Sequence, residues 1–63
     1  MQPPIPETLL ETIGMESLTG DHLLKRNVAL EIIATLFQDK GEAWIRDNLD
    51  TVRETITSVT GLL

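Results

Sequence analysis

Three basic side chains near the start of a predicted helix form the only cationic cluster of the sequence: His22, Lys25 and Arg26. A helix N-terminus already carries partial positive charge, so this cluster could contact an anion or an acidic partner. The alternative is a solvated helix end that pairs with Glu16 or Asp21. His22 is a poor general base, because its cationic neighbours oppose a further bound proton and no partner orients its ring. The cluster therefore indicates an electrostatic contact, not acid–base catalysis.

A second set of charged residues falls at helical spacings of three and four: Glu42, Arg46, Asp50, Arg53 and Glu54. Opposite charges at these spacings stabilise a helix by about 0.2–0.5 kcal/mol per pair. A metal site would need carboxylates that converge from several helices, with histidines among them. The sequence also lacks a glycine-rich phosphate loop and a nucleophile elbow. We therefore predict a solvated charged face and expect no metal, no cofactor and no enzymatic activity.

Ser17 lies in a short segment, Glu16-Ser17-Leu18, that precedes an acidic helical region. This segment resembles the Asp-Ser-Leu site of acyl carrier proteins, in which a serine at a helix start carries phosphopantetheine. The resemblance covers three residues, and Glu16 stands where the family has Asp. It implies a carrier-type protein that is modified at Ser17.

The composition limits the chain, residues 1–63, to one small domain with an aliphatic core. The hydrophobic fraction is 41%, and the aromatic residues are Phe37 and Trp44 alone. A chain this short buries only about 60% of the surface that its unfolded form exposes. Small domains therefore gain support from disulfides, metals or oligomerisation. Because the sequence has no cysteine and one histidine, oligomerisation is the support left open.

The formal net charge of -5 makes the chain a poor ligand for other polyanions. An acidic protein is repelled by nucleic-acid phosphates and by anionic membrane surfaces. No apolar run reaches the ~20 residues of a membrane span. The start, Met1-Gln2-Pro3-Pro4, lacks the pattern of a signal peptide. We expect a soluble, cytoplasmic protein that does not contact nucleic acid or membranes directly.

The pattern of apolar residues predicts three helices, over residues 6–13, 21–40 and 42–62, with a linker over 14–20. Pro3 and Pro4 predict an extended start. Gly14 and Gly41 are natural helix stops, and residues 39–41 are suited to a tight connection between antiparallel helices. The predicted fold is all-α, a short N-terminal helix followed by an antiparallel helical hairpin.

The second predicted helix is apolar around most of its circumference. Its continuous polar strip contains only four residues: Asn27, Glu31, Thr35 and Gln38. A helix that is apolar nearly all round is normally buried, so this one must be covered from at least two directions. The short first helix cannot do this alone. We therefore predict that a second copy completes a homodimeric, or larger, helical bundle.

The third predicted helix carries a heptad seam: Ile45, Leu49, Val52, Ile56, Val59 and Leu63. This seam could pack within the chain, between chains, or both. The unbroken seam favours one continuous helix. Asp50 as an N-cap, with Thr51 and Glu54 at capping-box spacing, offers a break near residue 49 as the alternative. Eight residues form the predicted interface: Leu30, Ile33, Phe37, Ile45, Leu49, Val52, Ile56 and Val59.

These features favour a protein–protein interaction module that associates with itself and with another protein, such as an adaptor, regulator or assembly subunit. One alternative is the carrier-type protein modified at Ser17. Another is the dimerisation part of a nucleic-acid-associated regulator, in which a different segment would contact the nucleic acid.

Overall fold

The computed structural model describes residues 5–63, and every regular element in that range is an α-helix. There are five: α1 (Glu7–Ile13), α2 (Met15–Thr19), α3 (Leu23–Lys40), α4 (Glu42–Asp47) and α5 (Leu49–Thr60). The predicted all-α class is confirmed. The extended start predicted at Pro3 and Pro4 lies outside the described residues. None of the helices in the described range has the length and apolar character needed to cross a bilayer.

Two glycines end helices where the sequence predicts them. Gly14 adopts φ 83° and ψ 45° and donates its N–H to the carbonyls of Leu10 and Glu11. Gly41 adopts φ 92°, and its N–H donates to the carbonyl of Phe37. Positive φ strains residues with a Cβ, so glycine allows the chain to leave a helix at these points. After Gly41, α4 and α5 pack against α3.

The predicted linker over residues 14–20 contains a short helix, α2, and is not irregular throughout. Met15 is 3% exposed, and Leu18 packs against the core, so both anchor this segment. The Thr19 hydroxyl donates to the Met15 carbonyl at 2.9 Å and is thereby satisfied while buried. α3 then begins at Leu23, two residues later than predicted, without a side-chain cap. A five-residue helix is too short to produce a recognisable apolar period.

The prediction of one continuous helix over 42–62 is wrong, because the helix breaks at Asn48. This residue has φ -128° and ψ 38°, and it separates α4 from α5. Its side-chain amide donates to the Trp44 carbonyl at 2.8 Å. Asparagine competes in this way with the helical backbone and offers it an alternative partner. The structure therefore has the alternative break near residue 49, with Asn48 in place of Asp50 as the N-cap.

The core contains apolar side chains from all five helices: Leu9, Ile13, Met15, Ala29, Ile33, Ile45, Val52 and Ile56. α3 packs against α2, α4 and α5, and α1 packs against α2, α4 and α5. The radius of gyration, 10.7 Å, matches the value of about 10.6 Å for a compact domain of this length. Other helices of the same chain therefore cover α3 from several directions, and the core closes without a second copy.

Candidate interaction surface

The predicted interface divides into buried, half-buried and exposed residues. Four of its members are 0% exposed within the single chain: Ile33, Ile45, Val52 and Ile56. Leu30, Phe37 and Leu49 are half-buried against the core, and Val59 is 38% exposed. A side chain without accessible surface cannot contact a second folded copy. The central part of the heptad seam is therefore the packing face of this chain's own core.

The seam also changes phase towards the end of α5. The buried residues of this helix are Val52, Ile56 and Thr60, at successive spacings of four, and Val59 turns outwards. A straight α-helix drifts relative to a heptad repeat, so the last seam position moves out of the core. Thr60 tolerates burial because its hydroxyl donates to the Ile56 carbonyl at 2.7 Å. The sequence pattern alone favoured valine over threonine at this end.

The outward turn of Val59 extends an apolar surface that begins on α3. We call this surface the apolar ridge, and it consists of Leu24, Val28, Ile32 and Leu36, spaced by four along α3, together with Val59 of α5. Val28, Ile32 and Leu36 line a shallow groove with Thr55 of α5. Thr55 also lines the adjoining depression that contains Val59. Leu24 is 59% exposed at one end of the ridge.

Carboxylates lie along the rim of this ridge. Glu31 of α3 lines the groove, and Glu54 of α5 lines the depression beside Val59. Both glutamates are exposed. Within residues 5–63 neither glutamate forms an ion pair. The ion pair in this range joins Arg46 Nε to Glu42 Oε2 at 2.9 Å. The ridge is therefore an apolar surface with one unpaired carboxylate at the groove and one at the adjoining depression.

Arg53 has a role that the sequence does not reveal. Its Nε donates to the Ile13 carbonyl and its Nη2 to the Thr12 carbonyl, each at 2.8 Å. A helix leaves its last four carbonyls without intrahelical partners. In α1, Gly14 satisfies the first two and Arg53 the last two. The sequence placed Arg53 on a solvated face, and this prediction is wrong, whereas Arg46 pairs with Glu42 at the predicted i, i+4 spacing.

The structure keeps only part of the predicted basic cluster together at a cleft. Arg26 lines one cleft with Ser17, and a second cleft with His22, while Lys25 lines neither. Ser17 is exposed on α2, but glutamates of α1 and α2 line its cleft: Glu7, Glu11 and Glu16. Three carboxylates outnumber the one guanidinium of Arg26 in this cleft, and their net negative charge disfavours the phosphate of a phosphopantetheine arm. No group of three acidic or histidine side chains in the described part of the chain is placed to hold a metal ion.

Residues 5–63 thus form a small five-helix domain that carries an apolar ridge with glutamates beside it. No protein-family model, curated protein or solved structure matches this chain.

Proposed function

We propose that this chain is a protein–protein interaction module, an adaptor, regulator or assembly subunit that binds through the apolar ridge. The observation that carries the proposal is that Val28, Ile32 and Leu36 of α3 line a groove that shares Thr55 with the depression containing Val59 of α5. Contiguous apolar surface with a polar rim is typical of interaction sites. The role is binding, not catalysis.

Site-specific photo-crosslinking in the native host tests this proposal. A photoreactive residue at Thr35, which lines the groove, should give a discrete protein adduct. The same residue at Thr57, which is exposed but lines neither the groove nor the depression beside Val59, is the matched control and should give none. The adduct should disappear when Leu24 is also replaced by Glu, because a charge there opposes apolar contact. Equal adducts at both threonines, or an adduct that survives Leu24→Glu, would refute binding at the ridge.

A second candidate is a homodimer through a surface that differs from the predicted interface, most of whose central residues are buried. Leu23, Leu30 and Phe37 are spaced by seven along the other flank of α3, with Asn27 and Ala34 between them at seam positions. Leu23 is 71% exposed, which favours a further contact there. A stable interface buries about 800 Å² of accessible surface on each partner, and contacts along a single helix bury less than this. We therefore propose weak self-association that strengthens with concentration.

Sedimentation equilibrium tests the homodimer. The apparent mass should rise from 7.0 kDa towards twice that value as the concentration of the protein increases. Leu23→Lys should abolish this rise without loss of helicity, because Leu23 is outside the core. A constant monomer mass, or an equal rise in the Leu23→Lys variant, would exclude a dimer through this flank.

A further inference from the structure

We infer that the apolar ridge binds a basic amphipathic helix of a different protein, an inference that rests on the proposed function. The α3 part of the ridge runs from Leu24 to Leu36, which is about 18 Å at 1.5 Å per residue. This length accepts roughly three turns of a helix. Amphipathic helices bind such grooves through apolar side chains spaced by three, four and seven residues.

The polar side chains of the groove favour an apolar occupant. The Thr35 hydroxyl donates to the Glu31 carbonyl at 2.9 Å, and the Thr55 hydroxyl donates to the Thr51 carbonyl at 2.8 Å. Each hydroxyl proton is thus used within its own helix. A ligand that covers these threonines does not have to replace a lost donor partner. The groove consequently suits an apolar ligand better than a polar one.

The negative charges beside the ridge favour a partner with positive charge. Glu31 lines the groove and Glu54 lines the adjoining depression, both exposed and neither in an ion pair within the described residues. Helical spacing places Lys25 near the N-terminal end of the ridge, so the acidic rim is confined to its middle and to α5. Lysine or arginine side chains flanking the apolar face of a bound helix would meet these carboxylates. Such complementarity accelerates association and rejects partners of the wrong sign.

A second copy of this chain is a poorer occupant of the ridge. A two-fold symmetric contact brings the same surface of each copy together. The carboxylates of one copy would then lie against the same acidic surface of the other, between two chains that each carry a net charge of -5. The homodimer candidate uses the other flank of α3 and does not compete for the ridge. The charge on the rim therefore selects a cationic helix from another protein.

Two probe peptides test the inference. Each has about 14 residues and an identical apolar face, and lysines flank that face in one peptide and glutamates in the other. Titration into the full chain, followed by amide chemical shifts and calorimetry, should show binding of the lysine peptide with shifts centred on the ridge. The affinity of the glutamate peptide should be lower by at least roughly tenfold, and this difference in affinity should decrease as salt is added.

Matched charge variants identify the source of this preference. Combined Glu31→Lys and Glu54→Lys should reverse it, because the rim becomes basic. Combined Glu16→Lys and Asp47→Lys changes the net charge equally, but away from the ridge, and should leave the preference intact. Equal affinity for both peptides, shifts centred elsewhere, or reversal by the distant pair would overturn the inference. Binding of neither peptide would overturn it too, and the Thr35 crosslink would then show whether the ridge still binds another class of protein.

Discussion

Removal of the Arg53 side chain should destabilise the fold far more than removal of any other arginine side chain in α4 or α5. Arg53→Ala deletes two charge-assisted hydrogen bonds of 2.8 Å that join α5 to the end of α1. A hydrogen bond to a charged group contributes about 1.5–3 kcal/mol. Arg53 is half-buried, so water can partly replace its contacts, and we expect a total loss of about 2 kcal/mol. This is a large fraction of the ~3–9 kcal/mol expected for 63 residues.

Arg46→Ala is the matched control. Its guanidinium pairs with Glu42 across one helical turn, and the two side chains are 39% and 41% exposed. Exposed pairs of this kind contribute about 0.3–0.5 kcal/mol. Arg53→Lys should recover only part of the lost stability, because an ammonium group cannot donate to two carbonyls in the same forked geometry.

Urea denaturation followed by circular dichroism measures these differences. With a slope of about 1 kcal/mol/M, Arg53→Ala should lower the midpoint by about 2 M and Arg46→Ala by less than about 0.5 M. Amide exchange should show that α1 opens in the Arg53→Ala chain before α3 does. If the two alanine variants lost equal stability, the apolar contacts of Leu9 and Ile13 alone would hold α1, and the role assigned to Arg53 would be refuted.

Three further changes test the core and the backbone. Ile33→Ala should cost about 2–5 kcal/mol by leaving a cavity, whereas Asn27→Ala on the polar strip should cost under about 0.5 kcal/mol, and comparable losses in urea would mean that the orientation of α3 is wrong. Gly14→Ala should cost about 1–2 kcal/mol by strain at φ 83°, and an unchanged melting temperature would contradict this. Val52→Lys should abolish helicity at every protein concentration, because it buries an unpaired cation in the core of the single chain, and a helical variant would exclude that burial.

Features that depend on neighbouring residues were predictable. Gly14 and Gly41 end their helices because a positive φ is a local preference of glycine. The polar strip of α3, Asn27, Glu31, Thr35 and Gln38, is exposed as its spacing predicts. Ile33 and Ile56 are buried, as expected for residues at the centre of their apolar faces. Helical periodicity is sufficient for such assignments because it determines which residues share a face.

The site was less predictable, because its members come from different helices. The ridge depends on the phase of α5, which turns Val59 outwards and Thr60 inwards, and on the approach of Thr55 to α3. A signal for the ridge was present in the spacing of Leu24, Val28, Ile32 and Leu36 by four. That spacing could not be distinguished from the other apolar faces of the helix, since no sequence feature shows which of these faces its own chain will cover.

The sequence by itself determined the all-α class, the helix ends at glycine and the exposed strip of α3, because each follows from residues within a few positions of one another. Only the tertiary structure decided that α2, α4 and α5 cover α3 within one chain. It also decided that Arg53 reaches the carbonyl of Ile13, forty positions earlier. Spacing along a helix defines its faces, but the partner of each face depends on how distant segments pack into one core.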